Sequence, residues 1–270
     1  MKQNGIIALT YNGFFMAFIT APLVVVLLVS FTSKGFISMP FGGASLRWFR
    51  AILVNDDMVS AFWLSVKLAF ASATIGVLLA VPAALAIARY RFHGRAALMS
   101  FFLSPMMIPA VVLGIAFLRF LSLLHLSGSF GALVCAHVII VLPYALRLCL
   151  SAAIGLDRDA ERAALSCGAT RFIAFRRVVL PMIRTGVVGG WILSFIQSFD
   201  ELTMTIFVAT PGTTTLPVAM YNQISQTIDP LVASVSAVLI VGTVILMLVL
   251  DRIVGLDRVL LGEVGQTSRS

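Results

Sequence analysis

The sequence is short of charge. Asp, Glu, Lys and Arg make up only 11% of its 270 residues, 60% are hydrophobic, and the mean hydropathy is +1.05. A soluble globular domain carries about 25% charged residues, so that class is excluded. Lysine is scarcer still: Lys2, Lys34 and Lys67 are the full set, and none follows a glycine. There is no Gly-x-x-x-x-Gly-Lys-Ser/Thr loop to cradle a nucleotide phosphate. The chain is therefore expected to hold no ATP, and no cofactor of its own. The three cysteines, Cys135, Cys149 and Cys167, have neither metal-ligand spacing nor the pattern of a disulfide framework. The three histidines, His93, His125 and His137, are scattered, and His137 lies in an apolar stretch, where a polar contact between helices is expected. No metal site and no catalytic residue follows from such a set, and a non-enzyme is expected.

What is present is long apolar runs and basic loops. The expected fold class is all-α, a polytopic helical membrane protein with about six transmembrane helices, since about 20 apolar residues span a bilayer. The runs are Phe14–Phe31, Ala61–Ala88, Ala96–Leu118, Gly131–Ile154, Thr185–Ala209 and Leu231–Leu250. No small-x-small cleavage site ends the first, so it reads as an uncleaved helix. Pro105 and Pro109 remove backbone donors from the third, which should be kinked or locally opened. Between the runs lie polar loops, 32–59 with Trp48 as an interfacial anchor, and the stretch after Ala209 with Pro211, Gly212, Pro217 and Pro230. The net charge of +8 would suggest nucleic acid in a soluble protein. Here the positives sit in short loops, where topology and anionic membrane lipid account for them. With residues 156–184 inside, fourteen of the 19 Lys and Arg side chains fall on the inner side. That predicts one membrane domain over 1–270 with both termini cytoplasmic.

Residues 156–184 are the one long polar segment within this apolar chain. Arg158, Arg162, Arg171, Arg176, Arg177 and Arg184 alternate with small residues. Ala160, Ala163 and Ala164 share one face of a short helix, narrow enough for another protein's groove. Gly168 can end that helix in the left-handed conformation, and Pro181 stops the next one. Within the fifth run, Ser194, Gln197, Glu201 and Thr205 recur at three- and four-residue steps and form a polar stripe, with Asp200 about 100° away. A carboxylate at mid-bilayer costs about 2.5–3.5 kcal/mol, so such acids face protein or water.

The order of residues in the basic loop resembles that of inner-membrane permeases of ATP-binding-cassette importers. These carry Glu-Ala-Ala, three residues, Gly, nine residues, then Ile-x-Leu-Pro. Here Ala163-Ala164, Gly168 and Val178-x-Leu180-Pro181 keep that spacing. The usual Glu position holds Arg162, with Glu161 just before it, so the acidic contact is displaced by one residue or weakened. The Ser45-Leu46-Arg47-Trp48-Phe49 run, the Pro105–Pro109 stretch and Ser198-Phe199-Asp200-Glu201 with Thr214-Thr215-Leu216-Pro217 and Tyr221 are similar to the spermidine/putrescine permease subunits. The resemblance implies a type I importer permease whose loop at 156–184, through Glu161, Arg162, Ala163, Ala164, Gly168, Leu180 and Pro181, docks on an ATPase. It implies two ATPase subunits that use ATP and magnesium, a second permease subunit and an external solute-binding protein. The cargo implied is a polyamine, with Ser194, Gln197, Asp200, Glu201 and Thr205 along its path. Two alternatives stand beside it: an ion-coupled secondary transporter in which Asp200 and Glu201 carry protons, and a membrane scaffold without transport.

Overall fold

The computed structural model describes residues 5–40, 42–227 and 229–254, and every regular element among them is helical. Lys2, Arg258, Arg269 and both chain ends, which enter the charge count and the topology, lie outside the described residues. The helices in chain order are α1 (Ile6–Val29), α2 (Arg47–Leu53), α3 (Asp56–Arg89), α4 (Arg95–Leu103), α5 (Ala110–Leu123), α6 (Phe130–Ile154), α7 (Arg158–Ser166), α8 (Arg171–Ala174), α9 (Leu180–Met182), α10 (Arg184–Phe199), α11 (Thr205–Val208), α12 (Leu216–Gln226) and α13 (Pro230–Val254). Phe175–Val179, between α8 and α9, is a π-helical turn.

Among the described residues four helices are long and apolar enough to cross a membrane: Ala8–Val29, Asp56–Arg89, Phe130–Ile154 and Pro230–Leu248. Two bent pairs, Arg95–Met106 with Ala110–Leu123 at 95° and Arg171–Met182 with Arg184–Phe199 at 69°, make up to six if each pair counts as one span. The expected third run is thus two helices. Pro105 sits in a 3-10 turn and Pro109 caps α5; neither has an N–H to continue the ladder. Three other expectations shift. The loop before the second run ends early, because Asn55 Oδ1 accepts from Met58 N at 3.0 Å and Asp56 and Asp57 occupy the first turn of α3; acids there suit the positive end of the helix dipole. The loop after Ala209 contains α12. The fifth run is broken after Phe199, and only the short α11 follows before Ala209.

By packing, the described residues form two compact units, one through Ser60 with Ala219–Val249, the other Ala61–Val218. In the first, Ser234 Oγ donates to Ser30 O at 3.1 Å, and Trp48 Nε1 donates to Lys34 O at 3.2 Å. Trp48 is only 9% exposed and ties its own loop together. The apolar window of α1 is 6% buried, which leaves its hydrophobic surface outward, as a helix facing lipid requires.

The second unit is built on α6, whose apolar window is 67% buried. Small residues let its neighbours come close. On α3, Ala69, Ala73, Ala80 and Ala84 are fully buried, and a Cβ on Gly76 would stand 3.1 Å from Val141 Cγ2. On α10, a Cβ on Gly186 would meet Ala152 Cβ at 2.5 Å and Leu148 O at 2.6 Å, and one on Gly190 would meet Ala145 O at 3.2 Å. Backbones this near are the small-residue packing that membrane helices use where lipid supplies no hydrophobic drive. Two four-residue steps further along α10, Ser194 Oγ donates to Val141 O at 3.3 Å and Ser198 Oγ shares a 2.8 Å hydrogen bond with His137 Nδ1. Gly186, Gly190, Ser194 and Ser198 thus form one antiparallel seam along α6.

Candidate functional site

Two polar places result. The first is the loop at 156–184. Asp157 caps α7 by accepting from Asp159 N at 2.9 Å, and Asp159 and Glu161 lie in its first turn, where acids are favoured. At its end Gly168 has φ +85°, Gly168 N donates to Leu165 O at 3.0 Å and Ala169 N to Ala164 O at 3.1 Å. The left-handed cap expected from the sequence is there. A Cβ on Gly168 would meet nothing within 4 Å; the glycine answers to backbone conformation rather than to space inside this chain. Ala163 is exposed and Ala164 half-buried.

Glu161 does not face outward. Arg89 Nη1 donates to Glu161 Oε1 at 3.0 Å, and Arg89 Nη2 stands 2.8 Å from Oε2. The two side chains are 20% and 21% exposed. Arg158 Nη2 donates to Ala88 O and Arg89 O, both at 3.1 Å, and so satisfies the last carbonyls of α3. The acid one place early in the loop is therefore turned onto its own chain. Arg162, in the usual Glu position, pairs among the described residues only with exposed Asp159 at 3.3 Å. Beyond α8, Leu180 N reaches back to Phe175 O across the π-turn. Leu180 is half-buried, Pro181 is exposed, and the helix stops at Met182, one residue after Pro181. Val179 and Ile183 anchor this corner in the core with Ile87, Leu146 and Cys149.

The second place follows α10. The expected stripe of Ser194, Gln197, Glu201 and Thr205 is broken, because α10 ends at Phe199. Glu201 bends back, and its Oε1 accepts from Met204 N at 2.7 Å. The short helix α11 follows, with Met204 at its N-cap position. Ser194 and Thr205 are fully buried, Glu201 is 8% exposed, Gln197 is half-buried and Asp200 is exposed. Among the described residues no side chain bonds the Asp200 carboxylate. Beside it, Trp191, Phe195 and Phe199 form aromatic rungs along α10 with centroids 5.4 and 6.1 Å apart.

His137 holds the break in place. Its Nδ1 bonds Ser198 Oγ before the break and its Nε2 bonds Thr205 Oγ1 at 3.0 Å after it. A fully buried imidazole with both nitrogens used is a packing contact, as its place in an apolar span suggested. Gly114 receives the turned segment: a Cβ there would lie 2.7 Å from Phe207 Cδ2 and 3.1 Å from Met204 O. The sequence signal for this arrangement was the small residue at every fourth position from Gly186 to Ser198.

Residues 72–256 match the family described as binding-protein-dependent transport system inner membrane component. The spermidine/putrescine transport system permease protein PotC of Escherichia coli strain K12 is 28% identical over 242 residues, 90% of this chain and 91% of that protein. The putrescine transport system permease protein PotI of the same strain is 33% identical over 234 residues, 84% of this chain and 83% of that one. The molybdenum transport system permease protein ModB of Mycobacterium bovis is 35% identical over 225 residues, 76% of this chain and 84% of that one. A bacterial ABC transporter involved in import of the acidic polysaccharide alginate shares the fold, with TM-score 0.76 at 14% identity over 92% of this chain and 95% of that one.

Proposed function

We propose that this chain, which belongs to the family of binding-protein-dependent transport system inner membrane components, carries protonated polyamines across the membrane. It is a multi-pass permease subunit of an ABC importer and not an enzyme. Partners of the family's kinds, an ATPase and a binding protein, go with that membership. The finer statement proposed is a complex of this chain with a sister permease, two ATPase subunits that hold the ATP and magnesium, and an external polyamine-binding protein. Residues 1–270 act as one permease domain with both termini in the cytoplasm.

The observation that carries the cargo reading is similarity to PotC and PotI along most of both chains. Asp200, whose carboxylate no side chain bonds among the described residues and which follows Phe199 in sequence, supports it: organic cations are attracted to carboxylates. ModB and the alginate importer, whose names specify other solutes, mean that family membership alone does not name the cargo. In the proposed cycle ATP closes the ATPase pair, the loop at 156–184 through Glu161 to Pro181 passes that closure on, and the helices expose the path first outward and then inward. The ion-coupled alternative is not favoured, because the family is that of ABC permease subunits. Membership in a transport family likewise leaves the scaffold reading without support.

The test is uptake of labelled putrescine and spermidine by cells with and without this chain, with unlabelled solutes as competitors. Loss on deletion, restored by the wild type but not by Gly168→Arg, supports cargo and coupling together. Polyamine uptake that survives deletion overturns the cargo reading.

A further inference from the structure

We infer that Arg89, Glu161 and Arg158 form a latch through which movement of α7 is delivered to α3, a role that rests on the coupling reading of the loop. None of the residues of α7 is buried, so the helix is not held by a core of its own. It packs against the turn at Phe175–Val179 and α8, and charge ties it to α3. Arg89 Nη1 donates to Glu161 Oε1, and Nη2 lies close to Oε2 without completing a second hydrogen bond; the one bond is charge-assisted, the stronger kind. Arg158, three residues earlier on the same helix, grips the carbonyls of Ala88 and Arg89. Both attachments end on the last turn of α3.

That helix is well suited to receive them. It has 34 residues, which at 1.5 Å each makes about 51 Å, more than the ~30 Å of bilayer hydrocarbon. A push on its last turn therefore acts on a long helix that continues through Pro82 into the packed unit. Along that helix the buried face of α3 from Leu68 to Ile87 packs in the same unit as α6 and α10. The one-place shift of the acid from the usual position makes the internal pair possible. Arg162, exposed and held only by Asp159, is left free to face the ATPase. Glu161, Arg89 and Arg158 are thus positioning residues, and they contact neither cargo nor nucleotide.

The experiment uses the full complex in liposomes, with Arg89→Glu, Glu161→Arg and the double exchange Arg89→Glu/Glu161→Arg. ATP hydrolysis, solute uptake and retention of the ATPase are read on each. The latch predicts that each single exchange raises the ATP hydrolysed per solute moved by about tenfold, and that the double exchange recovers most of the loss, the non-additivity of a contacting pair. Glu161→Gln, which keeps one hydrogen bond and loses the charge, should fall between; if the exchanges fail to assemble, its ratio decides. A wild-type ratio in Glu161→Gln and both singles overturns the latch, as does a double exchange no better than the singles. Singles that shed the ATPase also overturn it, since the pair would then shape the docking surface alone. A wild-type complex that retains no ATPase fails the coupling reading itself, an outcome separate from all of these.

Discussion

The seam between α6 and α10 and the corner between α3 and α7 both fix one helix against another, by opposite chemistry. In the seam the polar groups are neutral, almost wholly buried and bonded in pairs: Ser194 to Val141 O, and His137 to Ser198 and Thr205. At the corner they are ions, about one-fifth exposed. The difference follows from the solvent. A neutral hydrogen bond between membrane helices contributes about 0.6–2 kcal/mol and leaves no charge to desolvate. An ion pair is tolerable only where water can still reach it. The seam is therefore set by shape, and the corner by charge, which is the more easily rearranged of the two.

The sharpest way to break this contrast is at Gly186. Gly186→Leu would drive a side chain into Ala152 and Leu148 O, and overpacking of this kind costs about 1–3 kcal/mol or more. The expected outcome is loss of assembled complex, measured as monodisperse material after extraction. Gly76→Ala, facing only a Val141 methyl, should be far milder. Next comes His137→Leu. It orphans two buried hydroxyls, each costing about 1–3 kcal/mol, and should lower the melting temperature while the corner stays intact. Asp200→Asn leaves every hydrogen bond of the described residues in place, so assembly should be normal while polyamine uptake falls by about tenfold, the effect of losing about 1.4 kcal/mol of attraction. Unchanged uptake would make Asp200 a bystander. Smallest is Arg162→Ala. The Asp159 pair it breaks is highly exposed and contributes about 0–1 kcal/mol to stability. Its thermal stability should match wild type, and a large drop would show the corner to be a core.

The helices were legible because apolar length and proline position act locally. The break of the third run at Pro105 and Pro109 and the cap at Gly168 need only backbone chemistry. The end of α10 was not legible. Asp200 and Glu201 read as the next turn of the same helix, and nothing local shows that Glu201 Oε1 instead accepts from Met204 N. The partner of Glu161 was out of reach for a different reason. Arg89 lies on another helix, and the pair forms only when the fold brings α3 and α7 together. The four-residue spacing from Gly186 to Ser198 was visible in the sequence, yet small residues carry no label until the helix they press against is known.

The most direct measurement is labelled putrescine uptake into liposomes bearing the complete complex. ATP would be supplied on the side of the loop at 156–184, with ionophores collapsing every ion gradient. Uptake that continues, requires both ATP and the binding protein, and is lost with Gly168→Arg is the result predicted. Uptake that stops when the gradients collapse, with ATP still present, would contradict the account and return Asp200 and Glu201 to an ion-coupled cycle.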